Sequence, residues 1–426
     1  MPNKGSEKSP LQIFFGLSSF QMLAMFRRGM FYTFLSIYLK EFLDMSVWET
    51  TLYATLPMVM SVIFQNFVWG PISDKVQRRR TFIICGEISA GVGTLIIWAI
   101  HFSIRNLYLA GYIIIIGLSG VEMFWSMSNI GWSALISDLY PSEKRSKLMG
   151  QLTSLGGIGR IIGIFIGGIL YDSGFGFRNG PLFFVASGVM FVSSLPMLLA
   201  PEGGIEHENL RNEELSNEFN NNQKKLFIFI VFIIALIFVN FGRNSIAVPY
   251  SQYLSLDSGF NLNSIMLSLV ANMRSVAAMI IGFTAGFLSR KLGHSQTLIF
   301  GTVVGIIALI ITATTSFLQI IFIGGFLLGA AEVIIYASSY AIASILISAK
   351  MRGTLFAVYN TTFFLSWGSA STLISGPLID FLVNKGKSEV FAYQCAFLVG
   401  AILCMVGLVI FIILEIWLKV RRMGEI

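Results

Sequence analysis

The sequence predicts an all-α integral membrane protein built as two pseudo-symmetric bundles of six transmembrane helices. Three observations predict it: the composition, a succession of twelve apolar runs, and a repeat that maps the first six runs onto the last six. The chain has 426 residues, of which 55% are apolar and only 12% charged, and its mean hydropathy is +0.76. Soluble domains average about 25% charged residues. With 22 acidic side chains there is too little polar surface to cover a water-soluble globule. Lipid is the solvent that this composition requires.

A helix crosses the hydrocarbon core with about 20 apolar residues. By that measure the spans fall at 12–40, 49–72, 81–101, 107–137, 147–171, 180–200, 226–254, 263–288, 296–317, 319–348, 355–381 and 390–417. The runs are continuous and do not alternate, which excludes a transmembrane barrel. Before the first run stands MPNKGSEKSP, polar and without a cleavage site, so an uncleaved first helix is expected. Cys85, Cys395 and Cys404 lie in apolar runs with neither pairing nor metal spacing and read as core thiols.

Orientation follows from the basic residues. With the N-terminus inside, 19 of the 29 Lys and Arg residues fall in cytoplasmic segments and 5 outside, while Arg27, Arg28, Arg160, Arg243 and Arg274 fall within spans. Both termini are therefore expected to be cytoplasmic. The net charge of +7 is then a topology signal, not a nucleic-acid footprint. The polar stretch 201–225, PEGGIEHENLRNEELSNEFNNNQKK, cannot bury apolar area and reads as a cytoplasmic linker between bundles 1–200 and 226–426.

The two halves are related. FRRGMFYTFLSIYL (26–39) aligns without gaps to FGRNSIAVPYSQYL (241–254), which places Arg28 on Arg243, Tyr38 on Tyr253 and Leu39 on Leu254. GPISDKVQR (70–78) meets GFLSRKLGH (286–294), Arg145 meets Arg352, and GGILYD (167–172) resembles SGPLID (375–380). Landmarks in one order at nearly constant offset indicate duplication of a six-helix unit, a transporter signature.

On these residues the chain resembles the major facilitator superfamily. Between its second and third spans that family carries Gly, three residues, Asp, a basic residue, any residue, Gly and two basic residues. Here Gly70, Asp74, Lys75, Arg78 and Arg79 match, and Gln77 stands in place of the second Gly. A degenerate copy has Gly286, Lys291 and Gly293, with Arg290 in place of the Asp. The resemblance covers essentially the whole chain. It implies a gating role for this loop, with Asp74 bonded to helix N-termini or to an Arg; the alternative is that Arg78, Arg79 and Arg80 only enforce topology. In the fifth span GGIGRIIGIFIGG resembles the family's antiporter motif with Ile164 in place of Pro, and Gly159, Gly163 and Gly167 are spaced for close helix approach. The fourth span lacks the Arg of the drug antiporters at GLSGVE (117–122).

Ionisable residues at bilayer depth cost about 2.5–3.5 kcal/mol each and are functional candidates by default. In the resembled family the first, fourth, seventh and tenth spans line the central cavity. Gln21, Arg28 and Tyr32 share one face of the first span, and Asn240, Arg243 and Tyr250 one face of the seventh. Glu122, Ser126, Asn129 and Ser133 form a polar stripe in the fourth span, and Glu332, Tyr336 and Ser339 one in the tenth. The candidate substrate-binding residues are thus Arg28, Arg243, Tyr32, Gln21, Asn240, Asn129 and Tyr336, and the candidate proton carriers are Glu122 and Glu332. The competing reading makes the arginines and glutamates structural ion pairs. Arg27, about 100° round the helix from Arg28, is expected to point elsewhere.

No nucleotide-driven pump is encoded: the GKS at 386–388 lacks the upstream Gly of a P-loop, with Phe381 in its place. No histidine lies mid-span, so no buried His-based metal site is expected, and no cofactor. The expected function is secondary transport of a small polar, anionic solute in the cell membrane by a monomer, with protons or a counter-ion as partners and lipid around it. Paired arginines in the first and seventh spans resemble the family's organophosphate antiporters. The alternatives are proton-driven multidrug efflux and a transport-inactive sensor.

Overall fold

The structure is a computed structural model that describes residues 9–140, 142–204, 219–347 and 352–420. Most of the 201–225 linker, and Lys4, Lys8, Arg211, Lys350, Arg421 and Arg422, lie outside these residues. So do the side chains of Lys144, Arg145, Lys147, Arg290 and Arg352 and the landmark Gly286.

Close packing divides the chain into two units, one of Met1–Met45 with Leu56–Asn212 and the other of Ser46–Thr55 with Glu213–Ile426. Helices of the first unit are α1 (Pro10–Ile37), α2 (Val47–Phe64), α3 (Gly70–Val76), α4 (Arg79–Ser103), α5 (Leu107–Leu139), α6 (Ser142–Tyr171), α7 (Phe175–Arg178) and α8 (Pro181–Met197). The first turns of α2 group with the second unit. There follow α9 (Phe219–Asn244), α10 (Pro249–Ser255), α11 (Ser264–Leu292), α12 (His294–Thr314), α13 (Leu318–Leu346), α14 (Arg352–Ala370), α15 (Gly376–Asn384) and α16 (Glu389–Val420). Among the described residues there is no strand, and nine helical runs are long and apolar enough to cross a membrane. With α1, α8 and the α14–α15 run, the helical rods follow the twelve apolar segments.

Local sequence sets where these rods begin and bend. Ser9 opens α1 with a reciprocal cap, accepting from Gln12 N while the Gln12 side chain accepts from Ser9 N, and Pro10 spends no donor at the first position. Two spans widen ahead of a Gly-Pro pair: a π-turn at Gln65–Trp69 precedes Gly70 and Pro71, and another at Ser371–Ser375 precedes Gly376 and Pro377. Proline lacks the N–H and crowds the carbonyl one turn back, and a wider turn relieves both. In the second unit Asp380 caps α2, accepting from Val47 N at 3.0 Å and Trp48 N at 2.8 Å.

The repeat is visible in packing. Tyr38 and Tyr253, aligned in sequence, are both fully buried, and each bonds the far end of the third span of its own unit. The Tyr38 hydroxyl lies 2.8 Å from His101 Nε2 in α4, and the Tyr253 hydroxyl donates to the Thr312 carbonyl in α12 at 3.4 Å. Within the first unit, small residues bring backbones together. Gly159, Gly163 and Gly167 of α6 rest on the α1 backbone at Met22, Phe26 and Met30, where a Cβ would collide with the facing carbonyls. Gly29 of α1 rests in turn on the Arg160 carbonyl.

The loop between α3 and α4 is tied to α5 and to the chain leaving α8. Gln77, at the position where the resembled family has glycine, adopts φ 56° and ψ 23°, and its side-chain amide donates to the Asp74 carbonyl at 2.7 Å. Arg79 is buried. It donates to Ser73 Oγ at 2.5 Å, to Asp74 Oδ1 and Gln77 Oε1 at 3.2 Å each, and to Asp138 Oδ2 at 3.4 Å. Asp138 also accepts from Gly204 N at 2.9 Å. Glu202 caps α4 through Thr81 N at 2.8 Å and pairs with Arg80 at 2.9 Å. Arg79 and Arg80 are therefore bonded into this corner, beyond any role as topology charges. The two aspartates differ sharply in environment: the Asp74 side chain is 78% exposed, that of Asp138 only 8%.

Two outcomes follow for thermal unfolding in detergent. Gly163→Val should destabilise by about 1–3 kcal/mol through overpacking, whereas Gly157→Val, with open space around its Cβ position, should unfold near the parent. Equal effects would refute the glycine contact. Asp138→Asn should cost about 3–5 kcal/mol by leaving Arg79 short of its buried partner, and Asp74→Asn at most about 1 kcal/mol. The reverse order would place the structural charge on Asp74.

Candidate functional site

Each unit carries an arginine–glutamate cluster within its spans. In the first unit α1 supplies Arg27 and Arg28, α4 supplies Glu87, and α5 supplies Glu122, Trp125 and Ser128. The Arg27 guanidinium lies 4.1 Å and that of Arg28 4.4 Å from the centre of the Trp125 ring, so one indole attracts two cations. The two arginines do not diverge as the helical angle alone suggests. Their long side chains bend to a common aromatic target. The Trp125 N–H donates to Glu87 Oε1 at 2.6 Å, and Ser128 Oγ donates to the same oxygen at 2.9 Å. Glu87, Trp125 and Arg27 are all buried. Glu122 accepts a hydrogen bond from Ser61 and lies in electrostatic range of Arg28, Arg27 and Glu87.

The other first-unit candidates surround this cluster. Tyr32 is partly buried, sits edge-on to Phe31 at 5.4 Å, and feels the charges of Arg27, Arg28 and Glu122. Gln21 is partly buried against Gly156 of α6. Asn129 is partly buried, and its carbonyl accepts from Ser133 at 3.1 Å. Ser126 is spent on the Met123 carbonyl at 2.7 Å. Much of the polar stripe thus bonds to its own helix.

In the second unit α9 supplies Asn240 and Arg243, α11 supplies Arg274, and α13 supplies Glu332. Two guanidinium groups share one carboxylate oxygen: Glu332 Oε2 lies 3.3 Å from Arg274 Nη2 and 3.8 Å from Arg243 Nη1. Arg243 Nε donates to Asn240 Oδ1 at 3.1 Å, and Asn240 Nδ2 donates to Thr362 Oγ1 at 3.3 Å. The Arg243 guanidinium also lies 5.8 Å from the Phe363 ring centre, and Tyr336, half exposed, meets that ring edge-on at 5.2 Å. Ser339 and the Tyr359 hydroxyl are 3.0 Å apart.

The clusters therefore gather Arg28 with Glu122 and Arg243 with Glu332, as candidates from aligned spans. They add Glu87, Trp125 and Arg274, whose partners sequence reasoning did not identify. A faint signal for Arg274 exists. Gly329 lies one turn before Glu332, and its missing side chain lets α13 approach the backbone of Arg274 itself. The loop residues Gly70, Asp74, Lys75, Arg78 and Arg79 belong to neither cluster and lie at the α3–α4 corner. Among the described residues no group of three or more His, Cys, Asp or Glu side chains could hold a metal ion.

Comparison with known proteins agrees with this architecture. The chain is 25% identical over 389 residues to Multidrug resistance protein MdtG of Enterobacter lignolyticus (strain SCF1), covering 89% of this chain and 84% of that protein. It is 24% identical over 383 residues to MdtG of Escherichia coli (strain K12 / DH10B), covering 89% and 86%. Among solved structures it resembles a bacterial homolog of the human lysosomal transporter Spinster, with a TM-score of 0.73 and 14% identity over 96% of this chain and 98% of that one. The nucleoside transporter NupG superposes with a TM-score of 0.70 and 14% identity over 95% and 99%. A family profile described as Major Facilitator Superfamily matches residues 17–368 and again 232–424. That second match begins inside α9, the counterpart of α1 in the repeat, and with it the chain is identified as a multi-pass membrane protein of the Major Facilitator Superfamily of transporters.

Proposed function

We propose that this protein is a secondary transporter that moves a small polar, anionic solute across the cell membrane by alternating access, with protons or a counter-ion as the coupled species. One observation carries the reading: in the second unit two guanidinium groups share a single carboxylate oxygen, so positive charge exceeds negative in a low-dielectric setting where charge is costly. The first unit is closer to balance, with Arg27 and Arg28 set among Glu87 and Glu122. Arg28 and Arg243 then act on the substrate, with Gln21, Tyr32, Asn129, Asn240 and Tyr336 as polar contacts, while Glu122 and Glu332 carry the coupling proton. The α3–α4 loop, with Gly70, Asp74, Lys75, Arg78 and Arg79, acts as a gate on the cytoplasmic side, where both termini also lie. The protein works as a monomer in lipid and performs no covalent chemistry.

A second reading, proton-driven multidrug efflux, is favoured by relatives named multidrug resistance proteins that align over 89% of the chain. Under it the arginines serve as partners of the buried carboxylates, and the substrate is lipophilic.

Charge-conserving variants separate the readings. Arg243→Lys should weaken binding of an anionic substrate at least about tenfold, since Lys lacks the bidentate fork, while the protein stays folded. Full affinity in Arg28→Lys and Arg243→Lys alike would favour efflux of a lipophilic solute. For coupling, Glu122→Gln or Glu332→Gln should retain substrate exchange in proteoliposomes but lose the response to an imposed pH gradient. The groups facing Glu122 are Ser61, Arg27, Arg28 and Glu87; those facing Glu332 include Arg243 and Arg274. Gradient-driven accumulation that survives in both single variants and in the double variant would remove the glutamates from the mechanism.

A further inference from the structure

Glu332 is not the only residue that α13 presents on its open side. From Glu332 to Ala341 that helix is open along one side alone: Ile334, Ile335, Ser338 and Ser339 are buried, while Glu332, Tyr336 and Tyr340 follow one another along the open side at four-residue steps. The Glu332 side chain, paired with Arg274 and Arg243, is 45% exposed. A carboxylate inside a span does not face hydrocarbon, which neither hydrates it nor offers it a donor. The open side of α13 is therefore a polar surface within reach of water, not a lipid surface. It carries two large rings, Tyr336 at 51% and Tyr340 at 48% exposed.

Both rings rest on aromatic backing from α14. Tyr340 meets Tyr359 edge-on at 6.1 Å, Tyr359 meets Phe363 at 5.3 Å, and Phe363 meets Tyr336 edge-on at 5.2 Å, so four rings form one row. Tyr359 is fully buried, and its hydroxyl lies 3.0 Å from Ser339 Oγ of α13, which ties the two helices beneath the row. The Arg243 guanidinium lies 5.8 Å from the centre of the same Phe363 ring that Tyr336 meets. The charged cluster and the row of rings therefore adjoin. Packed rings fix one another's orientation, so the open pair is ordered before any ligand arrives and binding does not have to order it.

We propose that Tyr336 and Tyr340, backed by Phe363 and Tyr359, form a stacking wall in the second unit that takes the flat, unsaturated ring of the solute, with the solute's charged end towards Arg243 and Glu332. The substrate class is then an aromatic acid. Its charge rests on the reading of the protein as an anion transporter, whereas its ring rests on the wall alone. A ligand with a π-face gains from offset or edge-on contact beyond the area it buries, and a saturated ring of similar size gains only the burial. The wall therefore selects for flatness more than for size.

The experiment uses the purified full chain in detergent, with thermal shift and calorimetric titration of three probes: benzoate, the saturated anion cyclohexanecarboxylate and the aromatic cation benzyltrimethylammonium. Benzoate should bind about threefold to tenfold tighter than cyclohexanecarboxylate, and the cation should not bind. Tyr336→Leu and Tyr340→Leu, which keep apolar bulk at half-exposed positions, should each abolish that preference by weakening benzoate while leaving cyclohexanecarboxylate near its parent affinity. Tyr336→Phe, which restores the ring, should regain the preference. Equal binding of the two anions by the parent, or an undiminished preference in both Leu variants, would overturn the wall and leave the anionic reading standing. Binding of benzyltrimethylammonium alone would overturn the anionic reading; the wall then stands if the Leu variants weaken that binding and falls if they do not. If no probe stabilises the parent, the wall and the anionic reading fall together.

Discussion

An arginine side chain inside a membrane has to be answered. Its charge cannot be shed at any physiological pH, and the hydrocarbon around it offers neither water nor acceptors. In this protein the answer shapes each bundle. Trp125 gives its ring to Arg27 and Arg28 and its N–H to Glu87, so a single side chain of α5 links α1 to α4. Glu332 links α9, through Arg243, to α11, through Arg274. The glycine contacts that draw helices together, Gly86 of α4 on α5 and Gly329 of α13 on α11, set separations at which these groups can meet.

The halves of the repeat solve the same problem differently. Aligned arginines, Arg28 and Arg243, sit on equivalent helices, and the buried tyrosines Tyr38 and Tyr253 hold equivalent positions. The partners, however, have diverged. The first unit uses an aromatic face and two carboxylates in range of two cations; the second uses one carboxylate, with the Phe363 ring 5.8 Å from Arg243. Duplication supplies a symmetric scaffold, and the charge balance is then adjusted independently on each side.

Much of this was legible in the sequence, and the limits have a physical cause. Span positions are encoded in composition, because each helix must meet lipid with an apolar surface. The repeat was legible because Arg28, Tyr38 and Leu39 recur in register. Positions along one helix face are legible too: Arg28 shares a face with Tyr32, and Glu122 with Asn129. What periodicity does not encode is the partner on another helix. Glu87 and Trp125 lie 38 residues apart, and Arg274 and Glu332 58 apart. Nothing in either local pattern names the other. Arg27 shows a subtler limit: helical geometry fixes where its Cβ points, but three methylenes carry its charge round to the ring that Arg28 also reaches. In the α3–α4 corner, Asp74 was visible as part of a motif, whereas Asp138, the better-buried partner of Arg79, carried no motif at all.

Surplus positive charge in the second unit is measured most directly by a competition of opposites. Thermal unfolding of the purified protein at constant ionic strength, titrated in parallel with a small monovalent oxyanion and with a lipophilic cation, reads which charge the folded state prefers, since a ligand raises Tm only by binding the folded form. A saturable rise in Tm is expected with the oxyanion and none with the cation. A rise with the cation alone would contradict it and assign the protein to the efflux of lipophilic compounds.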